Sequence, residues 1–330
     1  MPAPLLTPMP TPLVAIVGPT ASGKSALGVR LAERLGGEVV ACDSTQVYRH
    51  FSIGTAKPAF EERRGVPHHL MDLLEPEEIF TAGDYRQRAL ETLEELRGRG
   101  RLPILTVGTG LYLRALLEGL ADAPTRSEEV RARLGARAQQ YGPAYLHRIL
   151  RRLDAAAAAR IAAHDAPKLV RAIEVCLLAG KPITEVHRAG RPRLEGFEAL
   201  KIGLMPRRGE LYQRIEQRVH TMLDRGWLEE LQALLARGIS ATAKPLTFIG
   251  YRELRAHLAG EMSLSEAMQA IERVTRRYAK RQLTWFRKEP GVHWFAGFGD
   301  DAEIAGGVLR HLEGRLAAAT ASRAHAGEGV

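Results

Sequence analysis

The chain has 330 residues, of which 45% are apolar and 26% are charged. That length suggests one large domain or two. The composition is typical of a globular protein. The sequence has no apolar run of the ~18 residues that a membrane span needs. The formal charge of +9 favours a polyanionic partner, whereas two distant cysteines, Cys42 and Cys176, argue against a disulfide framework or a zinc cluster and favour a reducing cytoplasm.

Short apolar runs and helical patterns alternate through the first third of the chain. A Pro-rich start predicts a disordered lead-in over residues 1–12. Buried-strand runs follow at residues 13–17, 38–42 and 103–107, and helical spacing fills the stretches between them. Because strands that alternate with helices are typical of a parallel sheet covered on both faces, we predict an α/β fold.

The pattern changes at about residue 121, where Arg and Ala dominate and strand-like runs nearly vanish. We interpret this stretch as a helical insertion. A strand-like run at residues 200–205 returns the chain to the sheet domain, and further helices follow. The predicted boundaries are 1–12 for the lead-in, 13–120 and 199–316 for a discontinuous catalytic core, 121–198 for the insertion domain and 317–330 for a disordered tail.

A phosphate-binding motif follows the first predicted strand. It fits the pattern G-x-x-x-x-G-K-[ST] between a strand and a helix, which is the context that such a loop requires. Glycines let backbone N–H groups curl around phosphate oxygens, and the helix N-terminus adds partial positive charge. The motif predicts a P-loop NTPase-like sheet and a di- or triphosphate ligand, with Lys24 as a mobile cation and Ser25 within reach of Mg²⁺. The phosphate loop comprises Gly18, Pro19, Thr20, Ala21, Ser22, Gly23, Lys24 and Ser25.

Asp43 comes directly after the second predicted strand, which is the next strand along the chain after the phosphate loop. A P-loop enzyme that hydrolyses nucleotides usually has a further strand that ends in an Asp for magnesium, but the run at 103–107 ends in Gly108-Thr109-Gly110. Ligands of open parallel sheets bind at the carboxyl ends of the strands. Asp43 therefore has two readings from its position alone: a general base or acceptor for a substrate amine, or a helix cap or indirect magnesium ligand.

Residues 271–288 form a predicted basic helix with seven Lys or Arg residues and one Glu. Arg273, Arg277 and Lys280 share one face at helical spacing, while Tyr278 is turned away from it and is able to pack inward. One reading is a surface that contacts the phosphates of an RNA stem-loop, and the other is a solvated cationic face. For the pair His68-His69 we favour structural support over ligand binding.

Six motifs together carry a resemblance to a known family. They cover the chain from about residue 13 to 295, and their order and spacing are similar to those of the bacterial tRNA dimethylallyltransferase (IPP transferase) family. Thr45 and the pair Pro167-Lys168 depart mildly from the residues that relatives often carry. The motifs are GPTASGKS at 18–25, DSTQVYR at 43–49, IGTAKP at 53–58, HHLMD at 68–72, GTGLYLRAL at 108–116 and AKRQLTWFR at 279–287.

The resemblance implies a role for each matching position. The phosphate loop would hold the diphosphate of dimethylallyl diphosphate rather than ATP, with Mg²⁺ as the cofactor. Asp43 would orient the adenine N6 amine or accept its proton, and Thr109 and Arg218 would contact diphosphate oxygens. The implied tRNA contacts are Asp43, Ser44, Thr45, Gln46, Thr109, Arg131, Pro167, Lys168, Leu169, Val170, Arg171, Thr247, Phe248, Ile249, Gly250, Tyr251, Arg252, Arg277, Lys280 and Arg281.

The family's activity is the transfer of a dimethylallyl group to N6 of the adenosine 3′ of the anticodon, in tRNAs that read codons beginning with U. We therefore expect an RNA-binding, cytoplasmic monomer that acts on the anticodon stem-loop and needs no membrane. Three alternatives remain open: a small-molecule P-loop kinase, an adenylate isopentenyltransferase, and an RNA-binding module whose phosphate loop is only structural. The basic helix and the Gly108-Thr109-Gly110 strand end do not fit the kinase.

Overall fold

A computed structural model describes residues 10–188 and 192–327. In the described residues, six strands pair side by side in one parallel sheet, in the order β3-β2-β4-β1-β5-β6. The strands are β1 (Thr11–Val17), β2 (Gly37–Cys42), β3 (His68–His69), β4 (Leu102–Val107), β5 (Phe197–Leu204) and β6 (Val292–Phe295).

Helices connect the strands and account for the long stretches between them. Their bounds are α1 (Lys24–Leu35), α2 (Phe60–Arg63), α3 (Ala82–Gly98), α4 (Gly110–Glu118), α5 (Glu128–Tyr141), α6 (Pro143–Leu153), α7 (Ala155–Ala158), α8 (Ala166–Ala179), α9 (Ile183–Arg188), α10 (Arg208–Asp224), α11 (Trp227–Ala236), α12 (Tyr251–Leu258), α13 (Leu264–Phe286) and α14 (Ala302–Gly327). A short 3₁₀ turn spans Lys244–Thr247.

The centre of the sheet is buried on both faces, as a parallel sheet between helices requires. The side chains of residues 13–17 in β1 are fully buried, and Ile104 and Leu105 of β4 lie beside them. The strands β2, β4 and β1 are adjacent, so their carboxyl ends meet at one edge of the sheet. The residues that follow those three strands are Asp43, Gly108 and the phosphate loop. The predicted α/β, P-loop-like fold is confirmed.

Two compact units divide the chain. The core unit comprises the chain up to Leu117 and from Glu195 onward, and the insertion unit is Glu118–Leu194. The insertion unit consists of α5 to α9 around an apolar centre that includes Leu146, Leu150 and Ile173. Its bounds lie close to the predicted 121–198.

Several predicted boundaries need correction. The strand β1 begins at Thr11, so the lead-in does not extend to residue 12, and residues 1–9 lie outside the described part. Residues 317–330 were predicted to be disordered, but α14 continues to Gly327. The Ala-rich sequence of this stretch has a high helix propensity. The strand β3 was missed because two residues carry no periodicity.

Candidate functional site

A cavity of about 1100 Å³ opens at the carboxyl ends of the strands in the core unit. The phosphate loop forms one side of it, and Asp43 with the three residues after it forms another. The helix α10 contributes Arg214 and Arg218. A volume of this size suits a small ligand together with part of a second one. The cavity therefore brings together the phosphate loop and Asp43, which follow β1 and β2 on either side of β4.

The phosphate loop has the backbone that its glycines predict. Gly23 caps the start of α1 with φ of 84°, a left-handed conformation that favours glycine. A side chain at position 23 would also collide with Asp300, so this position has room for glycine alone. The hydroxyl of Ser22 is buried and lacks a hydrogen-bond partner among the described residues. These features fit a loop that awaits an anion.

Two cations at this end of the cavity, Lys24 and Arg218, have neutral hydrogen-bond partners among the described residues. Lys24 Nζ donates to the carbonyl oxygens of Gly18 at 3.0 Å and Pro19 at 2.7 Å. Burial lowers the pKa of Lys24 to about 7; the charge of Asp43 opposes that shift, and Arg218 adds to it. Burial likewise lowers the pKa of Arg218, whose Nη1 lies 3.5 Å from Thr20 Oγ1. The negative charge of a bound polyanion would oppose both shifts, because it favours the protonated forms of Lys24 and Arg218.

Asp43 lines the cavity directly after β2. Its Oδ1 accepts hydrogen bonds from the backbone N–H of Thr45 at 2.8 Å and from the hydroxyl of Thr45 at 2.6 Å. This local turn holds the carboxylate in one orientation. A turn over residues 44–47, and not a helix, follows β2, so these bonds are not those of a helix cap. The other oxygen, Oδ2, lies over Gly108, where any Cβ would overlap it.

Thr109 lies beside Asp43 but bonds Ser44. Its Oγ1 accepts the backbone N–H of Ser44 at 2.9 Å and donates to the hydroxyl of Ser44 at 3.1 Å. The predicted contact of Thr109 with diphosphate oxygens therefore requires this hydroxyl to exchange partners. In the observed arrangement, Thr109 joins the end of β4 to the end of β2.

Three groups around the cavity were not predicted. Arg214 forms a two-bond ion pair with Asp300, with one contact at 2.8 Å, beside the phosphate loop. Lys57 Nζ donates to Tyr48 O and to Asp72 Oδ1. The carboxylate of Glu230 accepts from the backbone N–H groups of residues 52–54 and from the hydroxyl of Tyr251. The contacts of Arg214 and Glu230 with Asp300 and residues 52–54 join parts far apart in sequence, and the motif IGTAKP gave a signal only for Lys57.

The basic helix is α13, and it has the two faces that its sequence predicts. Arg273, Arg277, Lys280 and Arg281 are exposed, while Tyr278 is turned inward and its hydroxyl donates to Gly108 O at 3.2 Å. Arg281 stacks on the Tyr278 ring and also lines the cavity. The exposed cations are therefore available to an anionic partner, and the role in tRNA binding stays a prediction.

The segment 247–252 is only partly accessible. Thr247, Phe248 and Ile249 line the cavity, as a substrate-contacting segment would. Tyr251 is fully buried against Phe51 and Trp227, so its side chain is removed from the predicted tRNA contacts. A side chain at Gly250 would collide with the Trp227 ring. The guanidinium of Arg252 pairs with Glu253.

The predicted tRNA contacts of the insertion unit have structural partners. Arg131 and Arg171 both bond the fully buried carboxylate of Glu174, at 2.9 Å and 2.7 Å. Burial acts to raise the pKa of Glu174, but the hydrogen bonds of Arg131 and Arg171 outweigh it and lower the value to about 2. Leu169 is fully buried, which corrects its assignment to the tRNA surface. Lys168 pairs with Asp165, Val170 packs partly buried against the unit's core, and Pro167 lies in the first turn of α8.

Oxygen ligands for a metal ion lie at the phosphate loop. Ser25 and Asp43 both line the cavity and offer a hydroxyl and a carboxylate. Mg²⁺ takes oxygen ligands and typically keeps one or two from the protein beside waters and substrate phosphates. The residues present fit such an ion. The pair His68 and His69 lies elsewhere, in the edge strand β3, where the ring of His69 bonds Glu38 at 2.7 Å.

Comparisons with known proteins agree on one family. The sequence model of the family described as IPP transferase matches residues 46–289. The chain is 54% identical to the tRNA dimethylallyltransferase of Koribacter versatilis, over 91% of this chain and 98% of the relative. It is 50% identical to that of Geobacter sulfurreducens, over 86% and 91%.

Solved structures give the same result. The full-length tRNA isopentenylpyrophosphate transferase of Bacillus halodurans is 39% identical and superposes with a TM-score of 0.70, over 95% of this chain and 99% of that one. A eukaryotic dimethylallyltransferase acting on tRNA gives a TM-score of 0.75 at 27% identity, over 87% of this chain and 74% of that one. Among the described residues, no helix has the length and apolarity that crossing a bilayer requires.

Proposed function

The chain belongs to the IPP transferase family, and we propose that it is an enzyme that prenylates tRNA. It transfers a dimethylallyl group from dimethylallyl diphosphate to N6 of the adenosine 3′ of the anticodon, in tRNAs that read codons beginning with U. The products are N6-isopentenyladenosine and diphosphate. The observation that carries the proposal is the single cavity that combines a phosphate loop, two cations without acidic hydrogen-bond partners and Asp43.

The donor end of the reaction lies at the phosphate loop. As the allylic C–O bond breaks, its electron pair leaves with the diphosphate, where negative charge develops. Lys24, Arg218 and the loop N–H groups stabilise that charge, because fixed donors in a partly buried site need no reorganisation. Ser25 would hold Mg²⁺ there through its hydroxyl. When bound, that ion neutralises charge on the leaving diphosphate.

The acceptor end lies at Asp43. The N6 amine forms the new bond to the allylic carbon and becomes acidic only as it does so. The Asp43 carboxylate is fixed by the Thr45 hydrogen bonds and accepts the proton that N6 loses. The target base must leave its stack to reach this depth, as is general for enzymes that modify a base. The exposed cations Arg277, Lys280 and Arg281 of α13 contact the phosphates of the stem-loop.

The same reaction bears on the cellular location and the oligomeric state of the protein. Its acceptor is tRNA and its donor a soluble diphosphate, so the enzyme works in the cytoplasm. One chain carries both ends of the cavity, which supports a monomer as the active form.

A transfer assay tests the proposal. Unmodified tRNA that contains the target adenosine is incubated with protein, dimethylallyl diphosphate and Mg²⁺, then digested and analysed by mass spectrometry. We expect one C5H8 addition, confined to the adenosine 3′ of the anticodon. A parallel reaction with ATP in place of the isoprenoid diphosphate serves as the control. Phosphoryl transfer from ATP, or prenylation of free adenylate but not tRNA, would overturn the assignment in favour of a kinase or an adenylate isopentenyltransferase.

A further inference from the structure

The inner face of α13 contacts the loop that carries Thr109. Three of its side chains, Tyr278, Gln282 and Trp285, follow one another at helical spacing. Tyr278 and Gln282 both donate to the carbonyl oxygen of Gly108, at 3.2 Å and 2.8 Å. Trp285 fills the space that a side chain at Gly110 would need. The helix whose outer face is basic is therefore packed by its inner face onto the end of β4.

Gln282 also contacts the phosphate loop. Its Oε1 accepts the backbone N–H of Thr20 at 2.7 Å, and its side chain is almost entirely buried. An amide has a donor at one end and an acceptor at the other, so a single Gln282 side chain bridges the two loops. A buried bridge of this kind holds both loops at a fixed separation, because breaking either bond leaves a buried polar group without a partner.

The two loops that Gln282 joins carry the two ends of the reaction. Thr20 belongs to the loop for the diphosphate, and its hydroxyl faces Arg218. Gly108 lies under Asp43 Oδ2, so closely that any side chain at this position would displace the carboxylate. The bridge therefore sets the distance between the leaving group and the carboxylate. A misplacement of about 1 Å between reacting groups is enough to cost roughly 100-fold in rate.

We propose that Gln282 is a positioning residue that fixes the phosphate loop relative to Asp43, and that it acts on the transfer step more than on the binding of either substrate. The inference rests on the proposed function, because its test measures the rate of isoprenoid transfer. It goes beyond that function because Gln282, although it lines the cavity, has both ends of its amide engaged by Thr20 and Gly108 and would act through them. A residue with a merely structural role would change stability, or both affinities, without a selective loss of rate at saturation.

Two variants separate the two bonds of the bridge. Gln282→Met keeps the side-chain length and removes both hydrogen bonds. Gln282→Glu keeps the acceptor for Thr20 but lacks the donor for Gly108. Gln269→Met is the matched control, since Gln269 is an exposed glutamine on the same helix. Single-turnover transfer is measured at saturating tRNA and isoprenoid diphosphate, with dissociation constants for tRNA and for inorganic diphosphate determined separately.

We expect both Gln282 variants to lose roughly 10- to 100-fold in the saturated transfer rate. The dissociation constants of the uncharged Gln282→Met should stay within about threefold of the parent, whereas the carboxylate of Gln282→Glu should also weaken the binding of diphosphate. Gln269→Met should equal the parent. A saturated rate near that of the parent in both Gln282 variants would overturn the proposal, as would a loss that higher substrate concentrations fully restore.

Hydrogen exchange gives a readout that does not depend on the transfer activity. In the parent, the Thr20 amide is protected by Gln282, so a peptide that covers residues 18–25 should exchange faster in Gln282→Met. The same peptide should keep its protection in Gln282→Glu. Equal exchange in Gln282→Met and the parent would show that the bridge is absent in solution. A parent enzyme that transfers no isoprenoid contradicts the proposed function, and the exchange result then decides the bridge alone.

Discussion

The cavity and the insertion unit both bring basic side chains together, but around different partners. In the insertion unit, Arg131 and Arg171 surround the buried carboxylate of Glu174. In the cavity, Lys24 bonds two backbone carbonyls and Arg218 approaches the hydroxyl of Thr20. Neither of those two cations has an acidic partner within ion-pair distance in the described ranges.

The pKa shifts differ between the two regions for the same reason. The pKa of Glu174 is lowered to about 2, so its cluster is already neutralised by charges of the chain itself. Burial lowers the pKa of Lys24 and of Arg218, and the charge of Asp43 offsets this only in part, so a bound anion would stabilise the charged forms of both. Arg-rich sequence alone does not identify an anion site; a buried cation without an acidic partner is the stronger indicator.

Loss of the Glu174 carboxylate should have the largest effect on stability and a minimal effect on the cavity. Glu174→Gln breaks a buried ion cluster, which typically costs about 3–5 kcal/mol. Urea denaturation should show the loss, whereas Glu185→Gln, an exposed change on α9, should not. Since the folded pKa of Glu174 lies below its ordinary 4.5, its contribution is complete above about pH 4.5 and is lost as the pH falls through about 2. Equal stability of the parent and Glu174→Gln would contradict the structural role of this cluster.

Loss of the Asp43 charge should greatly reduce the transfer rate and have little effect on stability. Asp43→Asn keeps the shape of the side chain but removes the basic oxygen, so single-turnover transfer should fall roughly 100-fold or more, the usual size of a general-base contribution. The affinity for isoprenoid diphosphate and the free energy of unfolding should change little. Asp224→Asn, at an exposed position of α10, is the control. Transfer by Asp43→Asn at near the parent rate would leave Asp43 only as a group that fixes the turn with Thr45.

The exposed cations of α13 should have a smaller effect, on tRNA binding alone. The double variant Arg277→Gln/Lys280→Gln should bind tRNA more weakly, and the slope of log affinity against log salt should decrease by about one for each phosphate that the helix no longer neutralises. Arg310→Gln, an exposed change on α14, should leave that slope unaltered. Fluorescence titrations at several salt concentrations measure it, and an unchanged slope in the double variant would mean that this face is merely solvated.

The smallest expected effect is a pH dependence of diphosphate binding. The protonated form of Lys24 binds the anion, and its pKa in the free protein is about 7, so affinity should fall as the pH rises through 7, by up to about tenfold per unit. Calorimetric titration with inorganic diphosphate measures this. Lys24→Arg stays charged and serves as the control for titration of the ligand itself. Parallel pH profiles for the parent and Lys24→Arg would rule out a contribution of Lys24.

The sequence predicts those parts of the site that depend on local patterns. The phosphate loop and Asp43 are recognisable because each follows a buried strand, and parallel strands end at one edge of a sheet. The inward turn of Tyr278 follows from helical spacing. The fold is predictable for the same reason, apart from the two-residue strand β3 and the exact ends of β1 and α14.

Contacts between distant residues were beyond prediction. The Gln282 bond to Thr20 spans 262 positions, the Arg214–Asp300 pair spans 86, and the Arg131–Glu174 pair spans 43. No periodicity encodes such pairs, since they form only when the helices have packed. The resemblance therefore implied tRNA contacts for Arg131 and Arg171, while the buried Glu174 that binds them was not apparent.

The most direct test of the contrast between these two regions is a paired titration with inorganic diphosphate. Lys24→Met and Arg131→Met each remove one cation and keep an unbranched apolar stem, and calorimetry at pH 7 measures the affinity of both beside the parent. We expect Lys24→Met to bind diphosphate roughly 10- to 100-fold more weakly without loss of thermal stability, since a charge-assisted hydrogen bond is worth about 1.5–3 kcal/mol. Arg131→Met should keep the parent affinity and unfold at a lower temperature. Equal affinities for Lys24→Met and the parent, or a loss of affinity in Arg131→Met, would contradict the account.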